Sequence, residues 1–256
     1  MQLSALADRL DERLEIDAYA DVDASPNGLQ IGPDEGAIER VAFAVDAAAA
    51  TIEDAAAAGA DVLVVHHGLV WGGLDRVTGR EYENISALVE NDLALYVSHL
   101  PLDGHQELGN AAGLADHLGL DADSRAPFGE LGPVTIGQRG AFSTPRSVDE
   151  IGDRLAELDT GGRAPQVLDF GPDEVEDVAV VTGSGVDWLA EAVDAGADAL
   201  VTGEGKQQVY HEAREAGVNV FLAGHYATET FGVEALADLV SEWGLETTVL
   251  EHPTGL

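Results

Sequence analysis

The stretch VAFAVDAAAATIEDAAAAGADVLVV at 41–65 aligns without a gap on VAVVTGSGVDWLAEAVDAGADALVT at 178–202. Both copies carry the string A-G-A-D, at 58–61 and at 195–198. Each copy reads as a short apolar strand, an alanine-rich helix, a glycine-terminated turn and a second apolar strand. That is the βαβ unit of a parallel sheet. Both copies then continue alike, with a helix over about 82–91 or 206–216 and a third strand, LALYVSH (93–99) or VNVFLAGH (218–225). An internal repeat of this size leaves few architectures open. The expected fold class is α/β, built from two pseudo-symmetric α/β lobes.

Outside the repeats the pattern changes. An N-terminal helix over about 2–14 precedes the loop DASPNGLQIG, and a last helix over about 229–243 precedes a short strand at 245–251. Between the copies, GELGPVTIGQRGAF is glycine-rich with short β-like runs, and a helix over 145–158 has Ser147 as its N-cap. The expected organisation is a first lobe at 1–124, a small α+β insertion at 125–176 and a second lobe at 177–256.

Composition narrows the function. There are 48 acidic residues against 12 basic ones, a formal net charge of −36, and one lysine, Lys206. The acids are scattered through amphipathic segments of a chain that is 45% hydrophobic, so they do not form a disordered tail. An acidic, lysine-poor surface suits a salt-saturated cytoplasm, where a Debye length of about 3 Å at molar salt screens self-repulsion. The expected source is a halophile. The same charge argues against a nucleic-acid partner, since few cations are present to release phosphate counterions. With no cysteine, thiolate metal sites, disulfides and thiol nucleophiles are excluded. The first residues read as an amphipathic helix and not as a signal peptide, and no apolar run is long enough to span a bilayer. A cytoplasmic location without membrane contact is expected.

The histidines are placed unevenly. VLVVHHGLVW puts His66 and His67 at the end of the middle strand of the first repeat. Each third strand ends in a histidine followed four residues on by a carboxylate, His99 with Asp103 and His225 with Glu229. In open α/β sheets ligands bind at the carboxyl ends of strands, so this set converges on one region, with Glu204 at another strand end. Imidazoles with carboxylates and no sulfur are the donors of a Zn, Fe, Mn or Ni site. Taken singly, Glu229 also suits the first turn of a helix, and Asp103 before glycine suits a turn. TGSG at 182–185 is either an anion-binding turn or simply a tight one; it lacks the spacing of a dinucleotide or P-loop motif. His105, His117, His211 and His252 read as surface or supporting residues.

Taken in order, NGLQIG (27–32), VVHHGLVWGG (64–73), SHLPLD (98–103), GNAAGLADHLGL (109–120), VTGSG (181–185), TGEGKQQVYHEA (202–213) and AGHYATET (223–230) resemble the NIF-three-like dinuclear metal protein family, whose members are often called type-two GTP cyclohydrolase homologues. The resemblance covers nearly the whole chain. It implies a NIF-three-like fold assembled as a hexameric toroid, with two divalent metal ions per subunit. It implies His66, His67, Asp103, His225 and Glu229 as the metal ligands, Asp103 and Glu229 as bridges, and His99 close by. One departure is Ala111, where relatives often carry an asparagine.

The expected activity is metal-dependent hydrolysis of a nucleotide-like or other phosphorylated small molecule, of cyclohydrolase or phosphoesterase type, with His99 or Glu204 moving a proton. The alternative is a metal carrier that hands its ion to an acceptor without turnover of its own.

Overall fold

A computed structural model describes all 256 residues. In chain order the elements are α1 (Leu3–Leu14), β1 (Gly28–Ile31), β2 (Arg40–Asp46), α2 (Ala49–Ala57), β3 (Val62–His67), α3 (Arg80–Glu90), β4 (Ala94–Val97) and α4 (Leu100–Gly104). There follow α5 (Asn110–Leu118), β5 (Ala126–Leu131), β6 (Val134–Ser147), α6 (Val148–Leu155), β7 (Gln166–Leu168) and β8 (Glu174–Val180). The chain ends with α7 (Leu189–Asp194), β9 (Ala199–Thr202), α8 (Val209–Ala216), β10 (Asn219–Leu222), α9 (His225–Thr228), α10 (Thr230–Glu242) and β11 (Glu246–Val249). None of the helices is long and apolar enough to cross a membrane. Two compact units form. One comprises Met1–Leu102 with Gly232–His252, the other Asp103–Phe231 with Pro253–Leu256.

The first unit holds a five-stranded sheet in the order β1-β4-β3-β2-β11. Strands β2, β3 and β4 are parallel, as the repeat requires, and β1 runs antiparallel along β4. Their apolar runs are buried on both faces, so the strands read as continuous aliphatic segments and not as alternating ones. Ala42, Ala44, Leu63, Val65, Leu95 and Val97 pack with Ile52 and Leu88 of the covering helices. Burying a leucine or valine in this way stabilises by roughly 1.5–3 kcal/mol each.

The second unit holds a six-stranded sheet in the order β5-β6-β8-β9-β10-β7. The parallel trio β8-β9-β10 repeats β2-β3-β4, and an antiparallel edge strand, β7 on β10, repeats β1 on β4. The duplication in sequence is therefore a duplication of topology. The core here joins Val178, Val180, Val201 and Phe221 to Leu114, Ile151 and Leu155.

The boundaries differ from those expected from sequence. Residues 125–176 are no separate insertion, because β5 and β6 extend the second sheet through the antiparallel β6–β8 ladder. The closing strand β11 pairs in parallel with β2 and so belongs to the first unit, not to a second lobe at 177–256. Partner choice of this kind depends on long-range packing that local pattern does not encode. The loop at 23–32 contains β1. The expected helix at 145–158 starts only at Val148, where Ser147 forms a full capping box with Glu150.

Candidate metal centre

In the first unit, strand register supplies each histidine with its partner. Asp46 lies directly opposite His67 in the parallel β2–β3 ladder, and His67 Nδ1 meets Asp46 Oδ1 at 2.9 Å. Val65 is paired with Val97 across β3–β4, which sets Ser98 beside His66, and His66 Nδ1 lies 3.0 Å from the Ser98 carbonyl oxygen. The antiparallel β1–β4 pair brings the preceding loop to the end of β4. There the His99 amide donates to Asn27 Oδ1 at 2.7 Å, and His99 Nδ1 meets Asp23 Oδ1 at 2.8 Å.

A carbonyl or carboxylate oxygen only accepts, so Nδ1 is the donor in each of these three imidazoles, and in the neutral ring the lone pair is then on Nε2. This is the arrangement in which metal-ligating histidines are oriented by a supporting oxygen. Successive strand residues normally point to opposite faces. Because β3 ends at His67, the His66 and His67 rings instead converge, with centroids 4.5 Å apart; His99 lies 5.1 and 5.6 Å from them. One ligand atom from each of the three falls within 4.8 Å of the others. Gly68 follows because a Cβ there would sit 2.6 Å from Val97 Cγ2 and 2.8 Å from the Gln30 amide. Gln30 Oε1 in turn accepts from the Leu69 and Val70 amides and holds the turn.

In the second unit, Asp103 is buried, and its Oδ1 accepts from Asn110 Nδ2 and Thr182 Oγ1, both at 2.9 Å. Ala111, the departure from the family pattern, lies in the apolar core, and its neighbour Asn110 makes the polar contact. His225 opens α9 and Glu229 closes it, which places the pair one turn apart. His225 Nε2 lies 3.2 Å from Glu229 Oε1, and His225 Nδ1 lies 3.1 Å from Glu204 Oε1. Glu204 also accepts from the Ser184 hydroxyl.

Burial favours neutral His225, but the Glu229 and Glu204 carboxylates outweigh it and push its pKa up to about 9. The hydrogen bond from Ser184, opposed by partial burial and aided by His225, holds Glu204 below the usual carboxylate range. At neutral pH His225 is therefore an imidazolium between two carboxylates. A cation bound to its Nε2 must displace that proton.

TGSG is the tight turn and not an anion cradle. The Gly183 amide donates to Thr228 Oγ1 at 3.1 Å and the Gly185 amide to Thr202 Oγ1 at 2.9 Å. Lys206 is held by Asp187 at 2.5 Å. His117 and His252 bind surface partners, the Arg154 carbonyl and Asp54. His105 Nδ1 accepts from the Glu107 and Leu108 amides and closes a turn.

The structure thus brings together His66, His67 and His99 in one unit, and His225, Glu229 and Glu204 in the other, with Asp103 anchored by its own polar network. Nitrogen and oxygen donors with fixed tautomers and buried carboxylates fit a first-row divalent ion. Sequence reasoning missed Asp23, Asp46, Asn110 and Thr182. Asp46 had a readable signal, since it ends the strand that parallels the one ending in His67.

The Duf34/NIF3 (NGG1p interacting factor 3) family model matches residues 1–254. The chain belongs to the Duf34/NIF3 family. It is 60% identical to the GTP cyclohydrolase 1 type 2 homolog of Halobacterium salinarum, over the full length of both chains. The protein of that name from Archaeoglobus fulgidus is 42% identical, again over the full length of both. The crystal structure of TTHA1606 from Thermus thermophilus superposes with a TM-score of 0.89 at 40% identity, covering all of each chain. The halophilic relative agrees with the acidic composition of this Duf34/NIF3 chain.

Proposed function

We propose that this Duf34/NIF3 protein is a metal-dependent hydrolase acting on a nucleotide-like or other phosphorylated small molecule. In this reading two divalent ions per chain are held by His66, His67, Asp103, His225 and Glu229. The observation that carries it is the set of three convergent imidazoles, each with Nδ1 fixed by an oxygen acceptor and with one ligand atom apiece within 4.8 Å of the others. The cyclohydrolase name of the relatives supports the substrate class.

Bound divalent ions would supply a water of lowered pKa and Lewis-acid charge at the reacting centre. The protein's own residues prepare for this. Asp46 and the Ser98 carbonyl keep His67 and His66 in the ligating tautomer, and Asn110 and Thr182 keep the Asp103 carboxylate in place. Glu204, ionised and held by Ser184, accepts a hydrogen bond from His225 Nδ1 and is one proton-handling group of the site. His99, braced by Asp23, is the second proton-handling group. The hexamer expected from the resemblance is part of the proposal, as a sixfold assembly of the 26.7 kDa chain.

With Zn, Fe, Mn or Ni restored in turn, the purified protein is expected to turn over at least one member of a panel of GTP and phosphodiesters. His67→Ala and Glu229→Ala should abolish that turnover. Undiminished turnover in both variants would overturn the reading, and so would rapid metal transfer to an acceptor with no turnover at all, the behaviour of a carrier.

A further inference from the structure

Trp71 stands out among the exposed apolar residues because of where it is held. The residue is 45% exposed, yet it is not loose: Nε1 donates to the Gly68 carbonyl at 3.2 Å. Its centroid lies 5.0 Å from that of His99, nearly edge-on at 81°, and 6.0 Å from that of His67. Burying indole is worth a great deal, and a ring fixed but left open beside two histidines is suited to a planar partner. Trp71 lines a cavity of about 780 Å³ together with Leu69, Leu74, Asp75, Arg76, Arg80 and Glu81, within the size range of small-molecule sites.

The cations of that cavity are informative in so acidic a chain. Arg80 is tied to Glu81 at 3.5 Å, whereas Arg76 forms no ion pair. Several other arginines are tethered, as Arg40 is to Glu246, Arg125 to Asp116 and Arg139 to Asp177. An arginine spared from 48 acidic residues and facing a cavity is placed for an anion.

We infer that Trp71 and Arg76 form the substrate-recognition side of the site, with the heteroaromatic ring of a nucleotide stacked on Trp71 and its phosphate met by Arg76. The inference rests on the nucleotide-like substrate proposed above and adds the residues that read it. A ring on Trp71 is thereby set beside His67 and His99. At molar salt, stacking is retained while the arginine's electrostatic pull is screened, so the indole dominates affinity under the conditions that suit this protein.

The test is calorimetric titration of the metal-loaded full chain with GTP in molar KCl, with inorganic tripolyphosphate as the probe that lacks a ring. Trp71→Ala is expected to weaken GTP binding by roughly 5- to 150-fold, the range for losing one base–aromatic stack. Trp71→Phe should restore most of it, and tripolyphosphate binding should not respond to either change. Arg76→Gln should weaken both probes, more so as KCl is lowered. Metal content is measured alongside, and Trp71→Phe serves if the alanine variant loses metal. Wild-type protein that fails to bind GTP, or GTP affinity unchanged in Trp71→Ala, would overturn the inference. Trp71-dependent binding without turnover would leave it standing and remove the hydrolase reading. Turnover indifferent to Trp71 would do the reverse.

Discussion

Gly183→Ala is expected to lower divalent-metal affinity by about 10- to 100-fold, the usual cost of displacing a metal ligand or its support. Gly183 has φ of +57°, so any side chain there is strained by about 1–3 kcal/mol before it meets a neighbour. The neighbours decide the outcome. An added Cβ would run into Glu229 Oε1 and lie 3.0 Å from His225 Nε2. Glu229 is buried, so its carboxylate cannot swing into solvent. The turn cannot retreat either, because Gly183 donates to Thr228 while its carbonyl accepts from the Gly203 and Glu204 amides. A single methyl group thus pushes apart the pair that the second unit offers to a cation. Competition with a chelator measures the affinity, and a melting curve separates strain from ligand loss. Wild-type affinity in the variant would show that His225 and Glu229 do not hold metal.

Asp23→Ala is expected to destabilise the protein by about 3 kcal/mol and to loosen His99 as well. The Asp23 side chain is fully buried in the first unit. Its Oδ1 accepts from the Ser25 amide at 2.9 Å and from His99, and its Oδ2 accepts from Asn27 Nδ2 at 2.9 Å and the Leu100 amide at 3.0 Å. Hydrogen bonds to a charged group contribute about 1.5–3 kcal/mol each, and they do not add when they share one acceptor. Removing the carboxylate also strands several donors.

Its pH dependence follows from the same contacts. Burial alone would raise the Asp23 pKa, but the hydrogen bonds and charge of His99, with Asn27 and Ser25, bring it below the ordinary value of 3.8. A carboxyl whose pKa is depressed by folding adds stability above its unfolded value and loses it as pH falls through the folded one. Wild type and Asp23→Ala should therefore differ most near neutrality and converge below about pH 4, read from urea melts at fixed high salt. A gap that stays constant with pH would mean that the carboxylate's charge contributes nothing.

How legible the site was depends on how each residue is recruited. His66, His67, His225 and Glu229 stand at strand or helix ends that repeat across two halves of the chain, and local pattern suffices to find such ends. Asp23 is one acid among 48, in a loop whose turn chemistry already accounts for an aspartate. Only the antiparallel pairing of Gly28 with Val97 brings it to His99. Thr182 looked like part of a possible anion loop, yet its hydroxyl is committed to Asp103, 79 positions away in sequence.

The fold was readable to a similar depth. Parallel trios and their helices follow from apolar runs and alanine-rich helical stretches with glycine stops. The assignment of β11 to β2, and of β5 and β6 to the second sheet, follows from which open strand edge each segment reaches. A short strand such as Glu246–Val249, with two polar threonines, carries no local mark of its partner.

The central claim is that the anchored histidines and buried carboxylates are a metal centre. It is tested most directly by counting divalent ions per chain by mass spectrometry, after loading in molar KCl and removal of loose metal. The account predicts two ions per wild-type chain and a clear loss in both His67→Ala and Glu229→Ala. A wild-type chain that retains none, or variants that retain as many as wild type, would contradict it.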